Sequence, residues 1–174
     1  NKHQPEIIKN IKKNIDGISN ISSERLIDEL KKITSSNGFL KLFKDKESLE
    51  LIEIIFPQLK NIKNFKKQNS YAAENFLKID FIFLIALLVI DGTDNADYFL
   101  YKFKISNKDK KRLKLIDLFY RERITLKNFT EKNLNKFFYF NGRQAVIDII
   151  NFKIFTSNKV EKKLIKLLDT YKEK

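Results

Sequence analysis

Few side chains in this chain of 174 residues could carry covalent catalysis. There is no cysteine, and the single histidine, His3, sits in a polar terminus. Thiolate nucleophiles, disulfides and sulfur-ligated zinc or iron are thereby excluded within the chain. Ser-His-Asp triads and histidine-based metal sites fall with them, as do the helical metal-dependent phosphohydrolases, which need His-Asp pairs. The close aspartate pairs are Asp91 with Asp94 and Asp94 with Asp97. They fall in a loop and at a helix start, where a carboxylate caps backbone amides. What remains is cationic chemistry.

The formal net charge is +13 and the pI is near 9.7. Such an excess points to a polyanionic partner, RNA or DNA being the usual one. The composition is rich in Lys, Asn, Ile and Phe and poor in Arg, Gly, Ala and Pro, the signature of AT-rich codons, which raises lysine without selection for binding. Arginine is therefore the more informative cation. Its five positions are Arg25, Arg112, Arg121, Arg123 and Arg143. A planar guanidinium serves geometries that lysine cannot, such as a bidentate fork on a phosphate or a carboxylate. Lys108, Lys110, Lys111 and Arg112 open a helix behind a Ser106-Asn107 cap, and such a cationic helix start suits a phosphate. Arg121 and Arg123 flank Glu122 at a helix exit, and Arg143 follows Gly142 at a helix start. These seven residues are the candidate RNA contacts.

The elements that must position them are helical. Apolar residues recur at spacings of three and four, period-two alternation is nearly absent, and Gly and Pro are too few for an all-β fold. The expected fold class is all-α, an irregular array of about nine to eleven helices. The first helix follows Pro5 and stops by Gly17. The second has Ser22 as its N-cap and buries Leu26, Ile27, Leu30 and Ile33, with Arg25 and Glu29 four apart on its flank and Lys32 continuing it. A third spans 39–43 and a fourth ends before Pro57, while 60–69 reads as a frayed helix end or loop. A long helix is expected from Tyr71 to Ile90, then short ones over 96–103, from Ser106, and over 131–140, 143–155 and 157–171. The 16 Phe and 6 Tyr sit mostly at core spacing, with Tyr71 and Tyr139 the candidates for stacking on unpaired bases. No internal repeat or sustained heptad register occurs. The apolar run 81–90 is too short to span a membrane. The N-terminus has no signal-peptide segment, so a cytoplasmic location and no membrane partner are expected.

Ser22-x-Glu24-Arg25-Leu26-x-x-Glu29-Leu30-x-Lys32-Ile33 resembles the S-x-E-R-I-x-x-E-L-x-K-I pattern of the neck helix in class II tRNA nucleotidyltransferases (CCA-adding enzymes) and related bacterial poly(A) polymerases. The segment 49–59 resembles that family's G-L-L-x-x-I-L-P-E-L, without its leading glycine. Residues 79–88 followed by 104–113 are similar to the helical body of the α-proteobacterial type, and 138–145 to its L-Y-R-L-G-R-x-A segment.

The resemblance implies an RNA-binding neck, body and tail, with 1–70 the neck and start of the body and 71–174 the rest. It implies RNA, tRNA in particular, as partner, held by backbone shape and charge. It also implies a catalytic head that holds Mg²⁺ and uses ATP and CTP. The head's Asp-x-Asp and Glu-Asp-x-x-Arg motifs do not occur in this chain. The chain is therefore expected to be a piece starting downstream of the head, inactive alone and without cofactors of its own, with Arg25 and Glu29 the surface that docks the head. CCA addition is the expected activity of the parent. A poly(A) polymerase of the same family, or a basic helical interaction module without enzymatic activity, are the alternatives.

Overall fold

The computed structural model describes residues 5–35, 39, 45–67, 69–122 and 129–174, and among them every regular element is helical. In chain order these are α1 (Pro5–Lys13), α2 (Ser23–Ser35), α3 (Lys46–Ile55), α4 (Ser70–Asn75), α5 (Phe81–Val89), α6 (Asn95–Lys102), α7 (Asn107–Arg121), α8 (Glu131–Thr156) and α9 (Lys162–Glu173). Short 3₁₀ turns occupy Ile15–Asn20, Ile62–Lys67 and Phe76–Lys78. The all-α expectation holds. The helix expected over 39–43 lies outside the described residues apart from the buried Phe39.

α5 is the centre. Its sequence is apolar on every side, so no amphipathic face exists and the helix must be enclosed all round. Every residue from Ile82 to Ile90 is buried. Leu26 and Leu30 of α2, Leu49 and Ile52 of α3, Phe99 and Leu100 of α6 and Leu113 and Ile116 of α7 join it in one core. A second core lies between α8 and α9, where Val146, Ile149, Ile150 and Ile154 meet Leu164, Leu167, Leu168 and Tyr171. Each such buried aliphatic or aromatic side chain contributes about 1.5–3 kcal/mol relative to exposure.

The single helix expected from Tyr71 to Ile90 is instead two. Asp80 takes an extended conformation (ψ 166°) and its carboxylate accepts the Phe83 amide at 3.0 Å, which starts α5 afresh. A short carboxylate competes well for backbone amides and so favours a cap over a helix interior. The last helix starts at Lys162 rather than at 157, and α1 ends at Lys13, four residues before Gly17. The break expected near 141 is present, because Gly142 has φ 81° and ψ 174° inside α8. Only glycine enters that region without strain.

Polar side chains fix the packing angles. Asn95 is buried and donates from Nδ2 to the carbonyls of Gln58 (2.8 Å) and Val89 (2.6 Å). Asn69 caps α4 by accepting the Ala72 amide, and its Nδ2 donates to the carbonyls of Ile154 and Ser157 at the end of α8. Among the described residues, no helix is long and apolar enough to cross a membrane.

Candidate nucleic-acid interface

Arg112 sits one turn inside α7, facing the junction with α5 and α8. Its Nη1 and Nη2 form a fork on Asp80 at 2.8 and 2.7 Å, while Nε and Nη2 reach Asp148 of α8. Gln144 donates to the same Asp148 carboxylate at 2.9 Å. Asp148 is almost wholly buried and the Arg112 side chain is 17% exposed. Burial disfavours the Arg112 charge, but the hydrogen bonds from both carboxylates outweigh it and raise its pKa. Four of its five N–H donors are spent on carboxylates, one of the two uses expected of a scarce arginine. Arg112 is thus a clamp joining three helices, and its geometry leaves no fork for a phosphate.

Arg121, at the other end of α7, also meets two carboxylates but through one nitrogen, and its Nε is buried without a hydrogen-bond partner among the described residues. Its Nη2 reaches Asp117 at 2.8 Å and Asp97 of α6 at 3.1 Å. Nine residues of helix separate it from Arg112, about 14 Å, so the two do not share a surface patch. Burial raises the Asp117 carboxyl, against the opposing pull of Arg121. Asp97 takes part in this ion pair, while Asp91 accepts the Thr93 amide and hydroxyl at 3.0 and 2.7 Å. Asp94 stands at the start of α6 without a side-chain capping bond. Arg123 lies outside the described residues.

The remaining cations stand free. Lys108 and Lys111 are exposed and Lys110 is half-buried on the first turns of α7. That helix start is capped by Ser106, whose Oγ accepts the Asp109 amide and donates to the Asp109 carboxylate at 2.7 Å. Arg143 is exposed beside the Gly142 kink, next to Gln144 of the clamp. None of these four forms an ion pair among the described residues, unlike Arg112 and Arg121.

On α2 the Ser22 cap is present, with its Oγ accepting the Arg25 amide at 3.3 Å. Arg25 and Glu29 are both exposed, but they do not pair with each other. Glu29 takes Lys32 at 2.8 Å, one turn along, and the hydrogen bond from that ammonium lowers its pKa. Glu24 instead bridges to Lys104 before α7, at 2.9 Å. Arg25 is left without an ion pair among the described residues. Of the two stacking candidates, Tyr71 is partly covered by Phe155 (centroids 6.1 Å apart), whereas Tyr139 is 83% exposed.

Residues 3–63 match the family model described as the probable RNA and SrmB-binding site of polymerase A. At a coarse level, that segment is similar to a poly(A) polymerase RNA-binding domain. The match supports RNA as a partner and a polymerase-type parent, and it spans just over a third of the chain. No curated protein and no solved structure gives a significant match. Within the matched segment, sequence reasoning passed over the exposed Lys9, Lys13 and Lys31, which form no ion pairs among the described residues. Lys12 between them is neutralised by Glu50 at 2.8 Å. The signal was available, since Lys9 and Lys13 are four apart on an amphipathic helix and share one face.

Proposed function

We propose that this chain is the RNA-binding part of a template-independent nucleotidyltransferase, and that the parent adds CCA to the 3′ ends of tRNA. The observation that carries the RNA reading is the match of residues 3–63 to a polymerase A RNA-binding domain. The surface chemistry agrees with it. Lys9, Lys13 and Lys31 in the matched segment, and Lys108, Lys110, Lys111 and Arg143 beyond it, are cations that form no ion pair among the described residues and so suit phosphates. Duplex RNA offers proteins mainly phosphates, 2′-hydroxyls and shape, which suits a scatter of cations on rigid helices. In this reading, residues 1–70 form the neck and start of the body and 71–174 the remainder, and Arg25 with the Glu29–Lys32 pair faces the catalytic head.

Chemistry is assigned to that head. Among the described residues no group of three or more Asp, Glu, His or Cys converges that could hold a metal. In this reading the Mg²⁺, ATP and CTP belong to the head, and no chemical step is assigned to the side chains of this chain.

Binding of labelled tRNA, followed by fluorescence anisotropy across a salt series, tests the RNA reading. Each phosphate contact contributes a slope of about −0.9 in log K against log salt. Reversing Lys9 and Lys13 to Glu should flatten the slope by about 2 while far-UV circular dichroism stays unchanged. A salt-independent affinity would leave the chain a helical interaction module. The polymerase A description favours one second reading, poly(A) addition. The full-length protein given truncated tRNA with CTP and ATP, or with ATP alone, separates the two by the tail it makes.

A further inference from the structure

We infer that Tyr139 and Phe140 form a stacking platform for the bases of single-stranded RNA, a site separate from the phosphate-neutralising lysines. The inference rests on the RNA reading above and adds to it the kind of RNA held here. Residues 137–140 are four consecutive aromatics, Phe-Phe-Tyr-Phe. A helix turns about 100° per residue, so it cannot bury all four against one neighbour. Phe137 packs edge-on against Phe119 with centroids 5.6 Å apart, and Phe138 packs on Tyr171 at 6.0 Å. Tyr139 and Phe140 are left outside, 83% and 67% exposed, with ring centroids 5.2 Å apart and planes at 89°.

The two inner rings anchor the platform in the second core, and the Gly142 kink lies two residues beyond Phe140. Phe140 also lines a surface groove with Asn133, Lys136, Phe137 and Asn141, so amide groups lie beside the ring.

Charge identifies the occupant. Lys136 lies three residues before Tyr139 and four before Phe140, on the same helical face. Lys132 continues that face one turn further, and Arg143 follows the kink. These three cations form no ion pair among the described residues; along the helix Glu131 lies eight residues before Tyr139, about 12 Å, and Asp148, already held by Arg112, lies eight after Phe140. Two exposed rings beside cations that form no ion pair among the described residues match a polyanion that carries flat apolar faces, which is an unpaired nucleic acid strand. The other exposed tyrosines of a single helix, Tyr98 and Tyr101 on α6, lie beside Asp97, whose carboxylate already holds Arg121 and Lys114. A second copy of this chain would bring like cations together.

The test compares the parent chain with Tyr139→Ala/Phe140→Ala in anisotropy titrations of a labelled unstructured oligoribonucleotide and of a blunt RNA duplex of equal length. Both rings are exposed, so folding is retained, and far-UV circular dichroism checks it. Loss of a stacked base weakens binding by roughly 5- to 100-fold. The double variant should therefore lose at least about tenfold on the single strand and under about twofold on the duplex, and Tyr139→Trp/Phe140→Trp should restore single-strand binding. Equal losses on both RNAs, or no loss on the single strand, overturn the platform while the RNA reading stands. If the parent binds neither RNA, both readings fail together. A parent dimer that dissociates in the double variant identifies a second copy as the occupant and overturns the inference.

Discussion

Replacing Arg112 with alanine separates a clamp from a phosphate contact. The substitution leaves Asp148 almost wholly buried with a single donor, the Gln144 amide at 2.9 Å. Removing one partner of a buried ion pair costs about 3–5 kcal/mol, because the remaining charge is neither solvated nor compensated. Asp80 contributes little more, since its side chain is 52% exposed and water replaces its partner, within the range of about 0–1 kcal/mol typical of exposed pairs. A loss of about 4 kcal/mol in a domain of this size lowers Tm by about 8–16 °C.

The assay is thermal unfolding by far-UV circular dichroism at neutral pH, run with Asp148→Asn and with the double variant. Once the arginine is gone, an amide at 148 removes the buried charge, so the double variant should be more stable than Arg112→Ala alone. That coupling is the signature of a direct pair. Arg143→Ala is the control and should shift stability by no more than about 0.5 kcal/mol. If Arg112→Ala melted within about 2 °C of the parent yet bound tRNA more weakly, the clamp would be refuted and Arg112 returned to the RNA surface.

Three further outcomes follow from the geometry. Burial would raise the Asp80 carboxyl, but the hydrogen bonds from Arg112 and from the Phe83 amide hold its pKa below the ordinary value. A depressed folded-state pKa contributes stability above the unfolded value of about 3.9 and loses it as pH falls through the folded value. A Tm series below about pH 4 should therefore show an acid limb that Asp80→Asn makes shallower, and an identical limb would remove Asp80 from the acid response. Gly142→Ala should cost about 1–3 kcal/mol through backbone strain alone, because a Cβ there would meet nothing within 4 Å; an unchanged Tm would mean that the kink relaxes. Asn95→Ala should cost about 2 kcal/mol by leaving the Gln58 and Val89 carbonyls short of a donor, and urea unfolding that loses less than a quarter of that would show water filling the gap.

Local signals were the readable ones. The caps at Ser22 and Ser106 place two helix starts from the residue type alone, whereas the start at Asp80, just before an apolar run, was read through as helix interior. The kink at Gly142 was visible as a break because a glycine stood between two periodic segments. The shortened first helix and the late start of α9 were not readable, because helix ends depend on tertiary contacts that periodicity does not contain. The core was legible in large part, since most apolar residues at helical spacing are buried, although Ile27 and Ile33 are only partly so and Leu118 is exposed. Which aromatics stay outside was not, because it depends on which faces of α8 the neighbours cover.

The arginines show why site residues were harder to read than the fold. Scarcity marked Arg112 as serving a planar geometry, whereas Arg121 meets its acids through a single nitrogen; scarcity cannot choose between phosphate and carboxylate. The choice depends on acids distant in sequence: Asp80 and Asp148 lie 32 and 36 residues from Arg112. One clue was nevertheless present. Asp148 interrupts Val146-Ile147-Asp148-Ile149-Ile150, and an acid inside a buried apolar stripe needs a charged partner. A guanidinium is the side chain best suited to meet it. The division that results has an experimental consequence: the arginines on α7 hold helices together, while the lysines and Arg143 face solvent. Charge reversal at Arg112 would therefore mix unfolding with lost binding, so a charge-reversal test of RNA binding belongs on exposed cations such as Lys9, Lys13, Lys108, Lys111 or Arg143.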